Sequence, residues 1–308
     1  MHSSRTKRFS SGWRPFWAAL GAALLVLLPL VGGTILLTHH TLRQRLQTAD
    51  PQSGIAVSLP RAEHRLSLLV CTPQTEANPG FLLLYLNASQ NCIRLLSLPG
   101  ETLVPFGSGE TTLAACYAAA GPARCREALL EALFLPEETQ YLALSSSVLS
   151  AVADRYGMLR VGFSGALTAE ELAVSGLPSG VQALSAREAQ RLLAALPQSI
   201  PPQHKAAARA AVWDAFFRQD LELLPSTLPE ALRTHSSSLL TDLTAQDLLR
   251  LEETLEFLAN EAAPVHAEAL PGEWTAAGHR LTEASRAAVQ TLFNVSPTDA
   301  QAPSSSEP

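Results

Sequence analysis

The chain has 308 residues, of which 47% are hydrophobic and 16% are charged, and its formal net charge is −6. This length allows one large domain or two small ones. Only 22 residues are Lys or Arg, which argues against nucleic-acid binding because that function needs dense positive charge. The sequence contains no tandem repeat, P-loop, glycine-rich dinucleotide loop or zinc-ligand spacing.

The first element in chain order is an uncharged apolar run at residues 16–37. At ~1.5 Å per residue, a helix of this length can cross the hydrocarbon layer of a membrane. A cleaved signal peptide is the alternative, but the run is longer than a usual signal core and no A-x-A site follows it. Cations gather on the N-terminal side of the run, which by the positive-inside rule leaves the following chain outside the cell. They are Arg5, Lys7, Arg8 and Arg14.

These features predict five segments. Residues 1–14 form a cytoplasmic N-terminus, 15–38 a single transmembrane anchor in the cell membrane, and 39–60 an extracellular spacer. Residues 61–295 form the extracellular domain, and the Pro/Ser-rich residues 296–308 form a disordered tail.

Two apolar runs predict the centre of the domain. Residues 81–87 (F-L-L-L-Y-L-N) and 92–98 (C-I-R-L-L-S-L) flank a short polar turn, as in a β-hairpin. Their nearly continuous apolar character favours strands covered on both faces of an α/β sheet. A strand at 66–71 and a polar loop at 72–80 precede them. Ligand sites of such sheets lie beyond strand ends, so Glu101 and Thr102 are candidates for a site edge, with a solvated turn as the alternative.

Helices and short strands follow. Helices at 111–119 and 122–134 are broken at Gly121-Pro122, and strands are predicted at 140–144 and 159–163 around a helix at 147–156. Capping boxes begin the helices at 185–196 and 245–262. The remaining helices are predicted at 204–223, 229–236 and 282–293.

Four cysteines form an even set in a domain placed outside the cell, where disulfides persist. Cys116 and Cys125 lie on either side of the helix break, so we predict a disulfide between them. Cys71 and Cys92 lie on strands that could be neighbours. Buried free thiols are the alternative, and no C-x-x-C motif indicates a metal or redox site.

The order of these motifs resembles the LytR-CpsA-Psr (LCP) family from about residue 66 to 293. S-L-P-G-E-T at 97–102 resembles the family's S-I-P-R-D-T, and L-A-A-C-Y-A-A-A-G-P at 113–122 resembles I-N-A-A-Y-x-x-G-G-P. G-V-Q-A-L-S-A-R-E-A-Q at 180–190 resembles G-x-Q-x-L-N-G-E-Q-A-L. The resemblance implies an α/β fold, a three-layer α-β-α sandwich around a mixed central sheet.

The resemblance also implies a chemistry. Members transfer glycopolymers from a polyprenyl-pyrophosphate carrier to the cell wall, outside the membrane. Arginines neutralise the pyrophosphate, carboxylates hold a bridging Mg²⁺, and an apolar tunnel takes the lipid tail.

The chain departs from the family at the charged positions. Glu101 replaces an aspartate, Lys205 replaces an arginine, and Arg209 lies one step beyond another family arginine. The family positions that have lost their charge are Ala77, Pro79, Gly100, Ala194, Leu196 and Ala208.

The candidate catalytic residues are therefore Glu101, Lys205 and Arg209, with Glu101 as the metal ligand and solvated side chains as the alternative for each. One carboxylate makes a poor Mg²⁺ site. We expect an envelope-biogenesis protein that binds a polyprenyl phosphate or pyrophosphate lipid, an envelope glycopolymer or a catalytic LCP relative, with weak or lost catalysis.

Two alternatives stay open: an active glycopolymer–peptidoglycan phosphotransferase with an atypical site, and a stalked extracellular domain of unrelated fold. An apolar tunnel beside Glu101 would support the lipid-binding protein or the phosphotransferase. A filled core there would favour the domain of unrelated fold. The aromatic residues Trp213, Phe216 and Phe217 are either core residues or lipid contacts.

Overall fold

A computed structural model describes residues 59–75 and 78–293. The predicted transmembrane anchor and C-terminal tail lie outside these ranges, as does Ala77. Within the described part of the chain, no helix combines the length and apolarity needed to cross a membrane.

The described residues form strands and α-helices that alternate along much of the chain. The strands are β1 Arg65–Thr75, β2 Asn78–Asn87, β3 Cys92–Leu98, β4 Leu103–Phe106, β5 Gly109–Thr112, β6 Gln140–Ala143, β7 Leu159–Val161, β8 Gln182–Leu184, β9 Leu240–Thr241, β10 Val265–Ala269, β11 Glu273–Thr275 and β12 Gly278–Arg280. The helices are α1 Leu113–Leu133, α2 Ser146–Ala153, α3 Ala169–Val174, α4 Ala186–Ala195, α5 Pro202–Asp220, α6 Leu224–Thr234, α7 Ala245–Asn260 and α8 Glu283–Phe293.

Six strands form a central sheet in the order β10-β3-β2-β1-β6-β9. β10 runs parallel to β3 and β1 parallel to β6, while the other neighbouring pairs are antiparallel. The sheet is therefore mixed, and the predicted hairpin β2–β3 lies within it.

The predicted polar loop at 72–80 is wrong, because most of it is strand. Thr72 pairs with Gly80, and the β1–β2 ladder continues to Thr75 and Asn78. Pro73 pairs with Pro79, and the register shifts between Pro73 and Thr75. Such an irregularity lets a strand contain proline, which cannot donate a ladder hydrogen bond. Turn-forming composition suggested a loop, but pairing between the two strands overrides that local preference.

Side chains of the central strands alternate between two packed faces. Leu68 and Leu84 pack with the helices α2, α5, α6 and α7 on one face. Leu69 and Leu83 pack with α1 and α8 on the other. Helices therefore cover both sides of the sheet, which is why the strands are apolar almost throughout.

A smaller unit of structure lies beside the central sheet. The predicted strand at 159–163 exists as β7, but it pairs with β8 in a separate two-stranded ribbon. Phe163, Leu172, Leu196 and Ala208 form part of the apolar cluster under this ribbon. The cluster connects α3 and α4 to α5, the helix that carries two of the candidate site residues.

Helix α1 contains the predicted break. Gly121 has φ 77° and ψ −174°, a conformation open to glycine, and Pro122 begins the second helical segment. Cys116 and Cys125 lie on either side of the break and their thiols interact, while the Cys125 thiol donates to the Leu113 carbonyl at 3.6 Å. Both thiols are buried, and burial raises the pKa of each.

All four cysteines are free thiols in this structure. The disulfide between Cys116 and Cys125 stays a prediction, supported by the contact between the two thiols. Cys71 lies on β1 and Cys92 on β3, with β2 between them, so the prediction that they could be neighbours is wrong.

Candidate functional site

The loop after β3 carries Glu101 and is fixed by hydrogen bonds. The Ala114 and Leu113 amides at the start of α1 donate to the Gly100 and Thr102 carbonyls at 2.8 and 2.7 Å. The Thr102 hydroxyl donates to the Pro99 carbonyl at 2.8 Å. Thr102 is completely buried, so it holds the turn, and only Glu101 of the two predicted edge residues lines a cavity.

The β11–β12 ribbon holds the same loop from the other side. The backbone N–H of His279 donates to the Glu101 carbonyl at 3.0 Å, and the His279 Nδ1 lies 3.3 Å from the Thr102 hydroxyl. The ring of Trp274 packs on the His279 ring with centroids 4.8 Å apart. Burial lowers the pKa of His279, which favours the neutral imidazole.

The first turns of α5 supply the two cations. Lys205 and Arg209 are four residues apart, so they lie on the same face of the helix. Lys205 is half-buried, whereas Arg209 is only 5% exposed. The helix therefore presents one partly solvated charge and one buried charge.

Arg209 is poorly compensated for a buried cation. Its Nη1 donates to the Leu98 carbonyl at 3.3 Å and the Ser97 hydroxyl at 3.4 Å, both long contacts. Its Nε has no hydrogen-bond partner among the described residues. Burial lowers the pKa of Arg209 to about 10, so the guanidinium remains charged at neutral pH.

Glu101, Lys205 and Arg209 line one polar cavity of about 210 Å³. The structure thus brings together the three residues proposed from the sequence. Gly100, Ala194 and Leu196, three of the positions that lost their charge, also line this cavity. Ala208 instead packs in the apolar cluster under the β7–β8 ribbon.

An apolar cavity of about 130 Å³ lies between the sheet and the helices α2, α4, α5, α6 and α7. Trp213, Phe216 and Phe217 contact one another and line this cavity. They are therefore core residues that also face an open space. Arg209 and Leu193 line both the apolar and the polar cavity, so the two spaces adjoin at these residues.

Two contributors to the site were not found from the sequence. Gly80 lies against Arg209, and its register across from Thr72 depends on a strand that was taken for a loop. His279 reaches Thr102 from 177 residues away. A short hairpin with no apolar alternation gives no local signal of such a contact.

The side chains of the polar cavity do not form a metal site by themselves. Of the residues in 59–75 and 78–293, Glu101 is the only carboxylate that lines it. Across the described residues, no three His, Cys, Asp or Glu side chains form a cluster that could hold a metal ion.

No family model matches the sequence, and no curated protein matches it. Solved structures do match the fold. A protein of Eubacterium siraeum classed as a transcription regulator is 14% identical, with TM-score 0.64, covering 79% of this chain and 98% of its own. TagT bound to LIIa-WTA is 15% identical, with TM-score 0.54 and coverage of 80% and 98%.

A LytR-Csp2A-Psr enzyme from Actinomyces oris is 16% identical, with TM-score 0.53, covering 80% of this chain and 97% of its own. At these identities the likeness concerns the fold. It agrees with the resemblance of the ordered motifs, and it excludes the hypothesis of an unrelated fold. The chain has the fold of the LytR-CpsA-Psr family.

Proposed function

We propose that this chain is an envelope protein that binds a polyprenyl-linked phosphate, with the phosphate in the polar cavity and the lipid tail in the apolar cavity. The observation that carries the proposal is that Arg209 lines both spaces. An amphiphile with an anionic head and an apolar tail matches this arrangement. The lipid would belong to cell-envelope biogenesis, as the fold and the Actinomyces oris enzyme suggest.

Weak or absent catalysis follows from the charges of the site. Phosphoryl transfer requires fixed positive charge at the developing anion, and loss of one preorganised donor costs roughly 10²–10³ in rate. In the described cavity, only Lys205 and Arg209 are cationic. Tail burial depends on apolar area and would survive these losses.

The alternative is an active glycopolymer phosphotransferase with an atypical site. The observation that favours it is the convergence of Glu101, Lys205 and Arg209 on one cavity. These are the types of residue that hold and polarise a phosphoryl group.

Native mass spectrometry of the full-length protein in detergent tests lipid binding. We expect one polyprenyl phosphate per chain and weaker binding of the uncharged polyprenol. Arg209→Met should weaken phosphate-lipid binding at least about tenfold, because it removes a charge-assisted contact. Arg191→Met is the matched control, since Arg191 is exposed and lines neither cavity.

A second measurement separates the two functions. The protein is incubated with Mg²⁺ and polyprenyl-pyrophosphate, and phosphate release is followed. We expect no turnover above the protein-free rate. Turnover abolished by Glu101→Ala or Lys205→Ala would favour the enzyme, and absence of lipid binding by the wild-type chain would overturn the proposal itself.

A further inference from the structure

The polar cavity has an excess of positive charge. Lys205 and Arg209 contribute two cations and Glu101 one anion. None of the three forms an ion pair within 4.0 Å among the described residues. The cavity is therefore built for an anion.

This set of side chains does not fit Mg²⁺. The ion takes oxygen ligands in near-ideal octahedral geometry, usually with one or two carboxylates and several waters. Among the described residues, Glu101 supplies the only carboxylate of the cavity, and both cations that line it would repel a divalent ion. Lys205 and Arg209 can instead make direct charge-assisted hydrogen bonds to a phosphate, with no bridging metal between them.

Glu101 lies where it can balance a buried charge. Arg209 is 5% exposed and its nearest contacts are neutral oxygens of Ser97 and Leu98. The Coulombic effect of Glu101 opposes the burial of Arg209 by favouring its charged form. Glu101 is thus the carboxylate among the described residues that shares the cavity with Arg209, at a distance beyond ion-pair contact.

The position of Glu101 is fixed by its backbone. Its carbonyl accepts from the His279 amide, and the Gly100 carbonyl accepts from the start of α1. At Gly278 a Cβ would lie 2.5 Å from the Glu101 carbonyl, so the ribbon packs closely on the loop. The backbone of the loop is therefore held from both sides, and it keeps the Glu101 side chain on the wall of the polar cavity.

We propose that Glu101 is an internal counter-anion of Arg209, and that the cavity binds a lipid phosphate directly, without a divalent metal. The inference rests on the proposed lipid-phosphate function. Glu101 keeps Arg209 balanced in the empty cavity and lowers the affinity for the phosphate, because the two anions compete for the same cations. It thereby acts as a specificity-determining residue rather than a metal ligand.

Glu101→Gln tests this role because it removes the charge and keeps the shape. Full-length protein is titrated with polyprenyl phosphate and with polyprenol, each in EDTA and in excess Mg²⁺. We expect Glu101→Gln to bind polyprenyl phosphate about 3- to 10-fold more tightly than wild type, equally in EDTA and Mg²⁺, since one repulsive charge is gone. Affinity for the uncharged polyprenol should not change.

Glu110→Gln is the matched control. Glu110 is exposed on β5 and lines neither cavity, so this variant has the same net charge without a change in the site. It should bind both lipids as the wild type does. A gain shared by both variants would be a net-charge effect and would overturn the counter-anion role.

Other outcomes also decide the matter. Wild-type binding that requires Mg²⁺, or weaker binding by Glu101→Gln in Mg²⁺, would make Glu101 a metal ligand and overturn the inference while leaving the lipid function intact. Equal affinities of wild type and Glu101→Gln would also overturn it. Failure of every variant to bind either lipid would overturn the proposed function, and the inference with it.

Discussion

Arg209 and the backbone of Gly80 lie so close that any side chain at position 80 would have to displace the guanidinium. A Cβ built on Gly80 would lie 2.7 Å from the Arg209 Nε and 2.9 Å from the Thr72 hydroxyl. Both distances are shorter than ordinary van der Waals contact. The glycine leaves the space that the Arg209 side chain occupies beside the strand, where Arg209 lines both cavities.

Gly80→Ala should therefore displace the Arg209 side chain. We expect a loss of stability of about 1–3 kcal/mol from overpacking and about tenfold weaker binding of polyprenyl phosphate. Chemical denaturation and lipid titration measure the two effects. Gly165→Ala, where the added methyl meets nothing within 4 Å, is the control, and unchanged lipid affinity in Gly80→Ala would contradict the prediction.

Arg209→Met should separate stability from binding. The buried guanidinium has an unpartnered Nε and two long hydrogen bonds. These contacts and Glu101 offset only part of its desolvation, and an apolar side chain avoids that cost. We expect an unfolding free energy equal to wild type or up to about 2 kcal/mol higher, together with loss of phosphate-lipid binding. A large loss of stability would show that Arg209 is mainly structural.

Asp220 gives a pH-dependent prediction. Its Oδ2 has no hydrogen-bond partner among the described residues, and burial raises its pKa. Below the unfolded-state pKa, Asp220 is protonated in both states and folding carries no charge penalty. As the pH rises through the folded-state pKa, folding must bury the carboxylate, and wild-type stability falls.

Asp220→Asn removes that penalty. The variant should be about 1 kcal/mol more stable than wild type at neutral pH, and the difference should vanish as the pH falls below the unfolded-state pKa. Urea unfolding across the pH range measures this. Glu222→Gln, an exposed residue nearby, should show no such trend, and a constant difference at all pH values would contradict the prediction.

The cysteine pair gives a redox prediction. Cys116 and Cys125 hold their thiols in contact, so oxidation outside the cell should join them and stabilise the fold by about 2–4 kcal/mol. Peptide mass spectrometry without reductant should find the linked peptides. Free alkylation of both thiols in protein from the oxidising compartment would exclude the disulfide.

The predicted anchor is tested by its orientation. Protease added to intact cells should cut within residues 42–60 while the N-terminus stays protected, because the cations before the apolar run favour the inside. Permeabilised cells serve as the control in which both ends are cut. Protection of the folded domain in intact cells would show that the domain does not lie outside the cell and would contradict the predicted orientation.

The centre of the fold could be predicted from local pattern. The hairpin β2–β3 has almost uninterrupted apolar runs because both of its faces are covered, and such runs are visible in sequence. Ser185 and Thr244 begin their helices with capping boxes, as predicted. These signals act over three or four residues, so the sequence displays them directly.

Features that depend on distant partners were missed. β10 has the half-polar sequence V-H-A-E-A, and its extended conformation depends on parallel pairing with β3. Helix α3 was overlooked although Thr168 and Glu171 form a capping box, because the helix has only six residues. Glu101, Lys205 and Arg209 could be proposed as one site through the family motifs, whereas the burial of Arg209 and its contact with Gly80 could not.

The hydrogen bond between the Thr102 hydroxyl and the His279 ring joins residues that are 177 positions apart. Every described residue that lines the polar cavity lies at or before Arg209, so all of these leave the ribosome before the ribbon that holds their loop. Contacts of such long separation form late, because the closing chain must first lose much of its freedom. A chain truncated before residue 273 would contain all the described lining of the cavity and still lack the ribbon that holds its loop in place.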